Sequence, residues 1–365
     1  MTLKHVETSK DWRAFIDLPS ALFSDMEVWV PSLRVDMKEL LREKHPVWSD
    51  KRRKAFMVYQ DKKILGRIMA IIQPDSTGTF GFLDVETNNH KASKELLSAA
   101  ENWLRSQGCK SIQGPYNPDI HNVMGVLIEG FNQKPAFMTP YNGPDLPKTL
   151  IKCGYKVDRV FSCYELTPQT FVDYAKLRRV KDWLEKRHDM KVRGPRMNRF
   201  KDELKIFHSI YNAAFEGHYA STTVPWIAFE ALGKGMKLIL DPRLVFIIEK
   251  KDKPMGFLLA LPDYNEVFSG LPQGRLFPWG WFHFLRQRRR IQRVRILTMA
   301  ILPEYQHLGL GAMVYALMSQ AIDDAGYATA ELGWVDDSNI PMARACEQMG
   351  GEVSKRYAIF TKTLA

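Results

Sequence analysis

Between Val294 and Ala325 the chain changes its hydrophobic period once, and a glycine-bearing loop marks the change. Val294 to Ile301 (VRILTMAI) is apolar and β-rich, which predicts a strand. Ala312 to Ala325 carries apolar residues at helical spacing. Strand, loop and helix in that order call for an α/β arrangement in which the helix packs back on a sheet. The first N–H groups of such a helix have no internal partner, and the helix dipole favours negative charge beside them. Gly309 and Gly311 lack a Cβ, so the backbone there can turn sharply and approach a phosphate closely.

The loop reads Gln306-x-x-Gly309-x-Gly311. That is neither the dinucleotide pattern G-x-G-x-x-G nor a P-loop with its Lys-Ser/Thr ending. By itself it also reads as a tight turn into a helix. Its flanks favour more than that. Ile301-Leu302-Pro303 precedes the loop, a second strand is predicted over Ala328 to Val335, and Asn339 then opens a short helix ending Cys346-Glu347-Gln348-Met349-Gly350-Gly351. The whole pattern resembles the acyl-CoA motif of the GNAT superfamily of N-acetyltransferases.

At 365 residues the length favours two domains or one large one. The apolar fraction of 45% and charged fraction of 25% are those of an ordinary globular chain. No apolar run reaches the ~18 residues of a membrane span. The N-terminus, MTLKHVETSK, has no signal-peptide pattern. Cys109, Cys153, Cys163 and Cys346 show neither metal spacing nor a disulfide framework, so no metal and a cytoplasmic location are expected. The net charge of +11 suits an anionic cofactor, nucleic acid or lipid headgroups.

The two halves repeat one order: hairpin, strand, long helix, strand, short helix ending in Gly, strand. In the first half these are Arg53–Gln60 with Ile64–Gln73, Phe80–Glu86, Lys91–Gln107, Lys110–Gly114, Pro147–Lys152 and Ser162–Leu166. The second half offers Leu244–Glu249 with Met255–Leu261, then the strand, loop, helix and strand above, and Tyr357–Lys362. It is prefaced by a linker helix over 168–188, a short strand Lys191–Gly194 and a helix Phe200–Phe215. The expected fold is mixed α/β with two tandem domains, 1–166 and 167–365, each a mostly antiparallel sheet flanked by helices. Where the second half has its glycines, the first reads Thr87-Asn88-Asn89-His90-Lys91-Ala92, so the N-terminal copy is expected to be degenerate. The chain thus looks like bacterial tandem-GNAT proteins.

That resemblance implies direct acyl transfer from acetyl-CoA, or another acyl-CoA, to an amine of a small molecule or peptide. The acyl-CoA would lie where the strands Val294–Ile301 and Ala328–Val335 splay apart. It implies cofactor contacts at Met299, Ala300 and Ile301, at Gln306, His307, Leu308, Gly309, Leu310, Gly311 and Ala312, and at Asn339. A base is needed to take the proton of the amine. Glu331, in an apolar strand, and Asp263, just past a strand end, are the candidates. Glu216 and His218 are candidates to line the acceptor pocket. Many relatives place a Tyr where this chain has Cys346; that thiol, Tyr357 and Tyr315 are the candidate proton donors, with core packing as the plain alternative for each.

Pro278 to Arg295 (PWGWFHFLRQRRRIQRVR) sets Trp281, Phe284 and Leu285 on one helical face before a run of arginines. It reads as a helix over the domain interface with arginines at its favourable C-terminus, or as a membrane-surface or hydrophobic-acceptor contact, or as a nucleic-acid contact. A non-catalytic acyl-CoA sensor or scaffold, and a tRNA-dependent aminoacyl transferase, are the competing functions. The intact loop argues against tRNA, and no nucleic-acid partner is expected. A monomer or a dimer is expected.

Overall fold

The computed structural model describes residues 1–167, 179, 182–183, 185–219, 222–308 and 310–364. Gly309 and most of the expected linker helix 168–188 lie outside them, as does the side chain of Tyr315.

The chain forms two compact units, each built from separated stretches. The first comprises Met1–Phe161, Tyr264–Arg289 and Lys355–Ala365, and the second Ser162–Asp263 and Arg290–Ser354. Residues 264–289 and 355–365, read from sequence as part of the second domain, therefore pack in the first unit.

The first unit contains β1 (Thr2–His5), β2 (Arg52–Gln60), β3 (Lys63–Ile72), β4 (Gly78–Val85), β5 (Ser111–Gly114), the short β6 (Tyr116–Asn117) and β7 (Val123–Met124), and β8 (Val126–Glu129). Its sheet runs β1-β2-β3-β4-β5 and is completed by the end of the C-terminal strand, which pairs antiparallel with β5 on one side and β8 on the other. β1, β2, β3 and β4 pair antiparallel in turn, while β4 and β5 pair in parallel. The helix His90–Ser106 lies over this sheet because Ala92, Leu96, Leu97, Ala100 and Leu104 recur every three or four residues and all enter its core. A second core, on Phe15, Trp48, Met57, Met69 and Ile71, is covered by the helix Ser9–Phe23.

The chain passes between units along β9 (Lys156–Leu166). The second unit then adds β10 (Met190–Arg193), β11 (Val245–Lys250), β12 (Lys253–Pro262), β13 (Arg293–Ile301) and β14 (Thr329–Asp336), before β15 (Glu352–Thr363) leads back to the first. Its sheet order is β9-β14-β13-β12-β11-β10, with β13 and β14 in parallel and β10 to β13 antiparallel. The helix Leu310–Ala325 packs on one face through Leu310, Met313, Val314, Leu317 and Ile322. The helix Phe200–Phe215 covers the other through Phe207, Ile210 and Ala214. Each unit thus combines antiparallel ladders with a parallel pair, β4–β5 in the first and β13–β14 in the second, and is flanked by helices. Among the described residues no helix is long and apolar enough to cross a membrane.

Candidate active site

In the second unit two neighbouring strands part company. β13 and β14 pair from Arg293 with Thr329 to Ile296 with Leu332, and no further. Both strands run on, to Ile301 and to Asp336, without pairing with each other. A bulge sits at the parting point. Leu259 faces Thr298 across the β12 ladder while Ala260 faces Ile296, so Leu297 is the extra residue. One extra residue bends a strand and reverses which side chains face which side. Before it, Val294 and Ile296 enter the core under Leu310–Ala325; after it, Ala300 enters the opposite core beside Phe207 and Phe257.

Four charged side chains sit where the strands are still together. Arg293 and Arg295 are two apart on β13, so they share a face. Arg295 is opposite Glu331 of β14 in register, and its Nη1 donates to Glu331 Oε1 at 3.0 Å. Its Nη2 donates to the Gly333 carbonyl at 2.9 Å, one residue beyond the last paired position. Arg293 Nε donates to Asp263 Oδ2, and its Nη1 is 4.0 Å from Glu331 Oε2. Asp263 and Glu331 are fully buried, and Arg295 is 1% exposed. Burial by itself would lower the Arg293 pKa, but the charges of Asp263 and Glu331 outweigh it and the net direction is up. The cluster ties β12, β13 and β14 together at the mouth of the split.

The structure places Asp263 and Glu331, the two candidate bases, against one guanidinium, Arg293, and pairs Glu331 with Arg295 as well. The sequence reading missed Arg293 and Arg295. Their signal was legible: two arginines at alternating positions of an otherwise apolar strand require buried carboxylates.

The other candidate residues distribute as follows. The helix begins at Leu310, two residues earlier than expected, so Gly311 and Ala312 lie in its first turn; Leu310 is also a core side chain. Pro303 to Leu308 forms a 3₁₀ helix, which carries Gln306, His307 and Leu308. Gln306 Nε2 donates to the Ile301 carbonyl at 3.2 Å and so folds the loop back on the end of β13. Met299, Ala300 and Ile301 lie on β13 past the split. Asn339 caps the helix Ile340–Gln348, its Oδ1 accepting from Met342 N at 3.2 Å. Cys346, on that helix, is 1% exposed within the core. Burial pushes its thiol up to about 12, so it stays protonated near neutral pH and is a weaker acid than an ordinary thiol. Tyr357 belongs to the first unit, where its hydroxyl donates to the Pro140 carbonyl at 3.2 Å. Glu216 and His218 follow the helix Phe200–Phe215, and the His218 ring packs on Phe215.

The first unit repeats the split and fills it with its own chain. β4 and β5 pair only at Gly78 with Ile112 and Thr79 with Gln113. Beyond that point Phe82 N donates to Asn117 Oδ1, and the Tyr116 carbonyl lies so close to Gly81 that a Cβ there would collide with it. The start of the helix His90–Ser106 is likewise occupied, since Asn89 Oδ1 accepts from Ala92 N at 3.1 Å. The neighbouring cleft is lined by Asp84, Glu86 and Asp145, of which Asp84 is paired with Arg67 and Glu86 with Lys63.

Residues 204–350 match the family model described as Acetyltransferase (GNAT) family. Over 374 residues the chain is 28% identical to Protein YghO of Escherichia coli (strain K12), covering 97% of this chain and 93% of that protein. It is 27% identical over 374 residues to Bacterial ceramide synthase of Caulobacter vibrioides (strain NA1000 / CB15N), covering 98% of this chain and 96% of that one. Its fold matches that of a tandem GNAT protein from the clavulanic acid biosynthesis pathway, with a TM-score of 0.59 over 100% of this chain and 99% of the other at 11% identity.

Proposed function

We propose that this chain, which carries a GNAT acetyltransferase domain at residues 204–350 on the fold of tandem GNAT proteins, transfers an acyl group from acyl-CoA to an amine in its second unit. One observation carries the reading: β13 and β14 separate after Ile296 and Leu332, beside the start of the helix Leu310–Ala325. Parted strands leave main-chain groups without a ladder partner, and such groups suit the amides of a pantetheine arm. The helix start supplies N–H donors and dipole for the diphosphate. The amine nitrogen attacks the thioester carbonyl carbon, the C–S bond breaks, the nitrogen loses its proton and CoA leaves as the thiol. Main-chain N–H groups of Met299 or Ala300 are the natural donors to the developing oxyanion. Asp263 and Glu331, held by arginines, act here as positioning residues that keep the split in shape.

The first unit, with its split filled and its helix start capped, is assigned a supporting role. A relative named for ceramide synthesis that matches nearly the whole chain supports a fatty acyl donor and a long-chain amino alcohol acceptor over acetyl-CoA and a small amine. The test is release of CoA thiol from acetyl-CoA or palmitoyl-CoA, with sphinganine or spermidine as acceptor, and mass spectrometry of the amide. Amine-dependent release with palmitoyl-CoA and sphinganine is expected. Turnover only with acetyl-CoA and spermidine would return the assignment to a small-molecule acetyltransferase. Thiol release that no amine accelerates would replace transfer by simple acyl-CoA binding.

A further inference from the structure

The helix Gly280–Gln287 of the first unit has a settled inner face. Phe284 is buried and stacks on Tyr264 at 5.7 Å between ring centroids, and the His283 ring bonds the Val267 carbonyl at 3.0 Å. Phe282, Leu285 and Arg286 stand at i, i+3 and i+4, on the side away from Phe284. Phe282 is 66% exposed, and in the turn before the helix Phe277 and Trp279 are each 77% exposed. The expected common face of Trp281, Phe284 and Leu285 is thus divided, with Phe284 inside and the other two in contact with solvent.

Charge accompanies these rings. Arg275, Arg286, Arg288 and Arg289 are exposed, and among the described residues none has a carboxylate partner. No Asp or Glu occurs between Glu266 and Glu304. Arginines at the end of a helix are favoured by its dipole, which accounts for Arg286. It does not account for three large rings left in water within six residues. Aromatic residues interleaved with unpaired arginines match one surface in particular, the boundary of a bilayer with anionic headgroups. There the rings enter the interfacial layer and the guanidinium groups meet phosphate.

We propose that Phe277, Trp279 and Phe282, with Arg286, Arg288 and Arg289, dock this protein on an anionic membrane surface. The docking is peripheral and does not depend on which amine accepts the acyl group.

The experiment is flotation of the full chain with vesicles of phosphatidylcholine alone, or mixed with phosphatidylglycerol, at low and high salt. Binding to the mixed vesicles, weakened by salt, is expected, with little binding to the neutral ones. Arg286→Gln with Arg288→Gln and Arg289→Gln should weaken partitioning ~5-fold for each charge removed. Trp279→Ser with Phe282→Glu should lower it ~10-fold or more. Ile151→Glu, at another exposed apolar residue of the same unit, should bind like the wild type. All six positions are exposed, so the far-UV circular dichroism melt should be unchanged and a folding defect is separable from a docking defect. Wild-type protein that ignores the mixed vesicles overturns the proposal. So does undiminished binding by the Trp279/Phe282 variant, or tRNA binding that outcompetes the vesicles and is lost in the arginine variant.

Discussion

Removing the Glu331 carboxylate tests whether the charge cluster is a structural tie at the split. In Glu331→Ala, Arg295 would stay 1% exposed with, among the described residues, the Gly333 carbonyl as its remaining hydrogen-bond partner. Its Nε already lacks a partner among the described residues, and the Trp334 ring 5.1 Å away adds only a cation–π contact. Arg293 would keep Asp263, so one charge of the four is stranded and not two. Breaking a buried pair by deleting one partner costs about 3–5 kcal/mol. Removing both partners, as in Arg295→Met with Glu331→Leu, strands no charge and should cost at least ~2 kcal/mol less than the single change. The assay is urea unfolding followed by tryptophan fluorescence, with CoA-ester affinity measured in parallel. Because the cluster sits at the parting of β13 and β14, affinity should fall in the single variant and return in part in the double. A loss below ~1 kcal/mol for Glu331→Ala, or strictly additive costs, would refute the tie. If Glu331→Gln, which keeps the shape and loses the charge, instead abolishes turnover with stability and affinity intact, Glu331 acts as the base.

Three further outcomes follow from single residues. Gly311→Glu puts a carboxylate in the first turn of the helix Leu310–Ala325, where it opposes a bound diphosphate; acyl-CoA affinity by titration calorimetry should drop ~10-fold or more, and an unchanged value removes the helix start from the site. The Cys346 thiol is held up at about 12 by burial, so its contribution to stability is complete below its ordinary value of 9.0 and is lost as pH rises from there toward 12. Cys346→Ala should flatten that alkaline loss and leave the rate of thiol release unchanged; rapid alkylation of Cys346 in the native protein at about pH 8 would contradict its burial. Asp11 is held below its ordinary 3.8 chiefly by the hydrogen bond from Lys4 and then by Thr8, so its contribution to stability is complete above 3.8 and is lost as pH falls from there toward its lowered value. Asp11→Ala removes the capping box at Thr8 and should cost about 1–2 kcal/mol at neutral pH and little in acid; equal cost at both would deny the ionised carboxylate a role.

What could be read from the chain beforehand was whatever local chemistry determines. The helix Phe200–Phe215 shows its period in sequence and lies where that period puts it. β13 starts one residue before the expected Val294, because alternation and β-branching are properties of the segment itself. Within the first fifty residues Thr8-x-x-Asp11 is a capping-box signature, and these residues hold β1 and the helix Ser9–Phe23 with Pro19 inside it. The site was legible only in outline, since the loop and the parallel pair announce an anion site while the state of each acidic side chain depends on partners far along the chain. Glu331 has its guanidinium partner 36 residues away, and Asp263 finds Arg293 30 residues on. Pairing across strands decides whether a buried carboxylate is a free base or one half of an ion pair, and register is not a local property. The self-filled split of the first unit makes the same point from the other side. Nothing in Phe80–Glu86 alone says that Tyr116 and Asn117 will occupy the gap; only the Gly78–Ile112 register, which parts β4 from β5 after two residues, creates the space that they take.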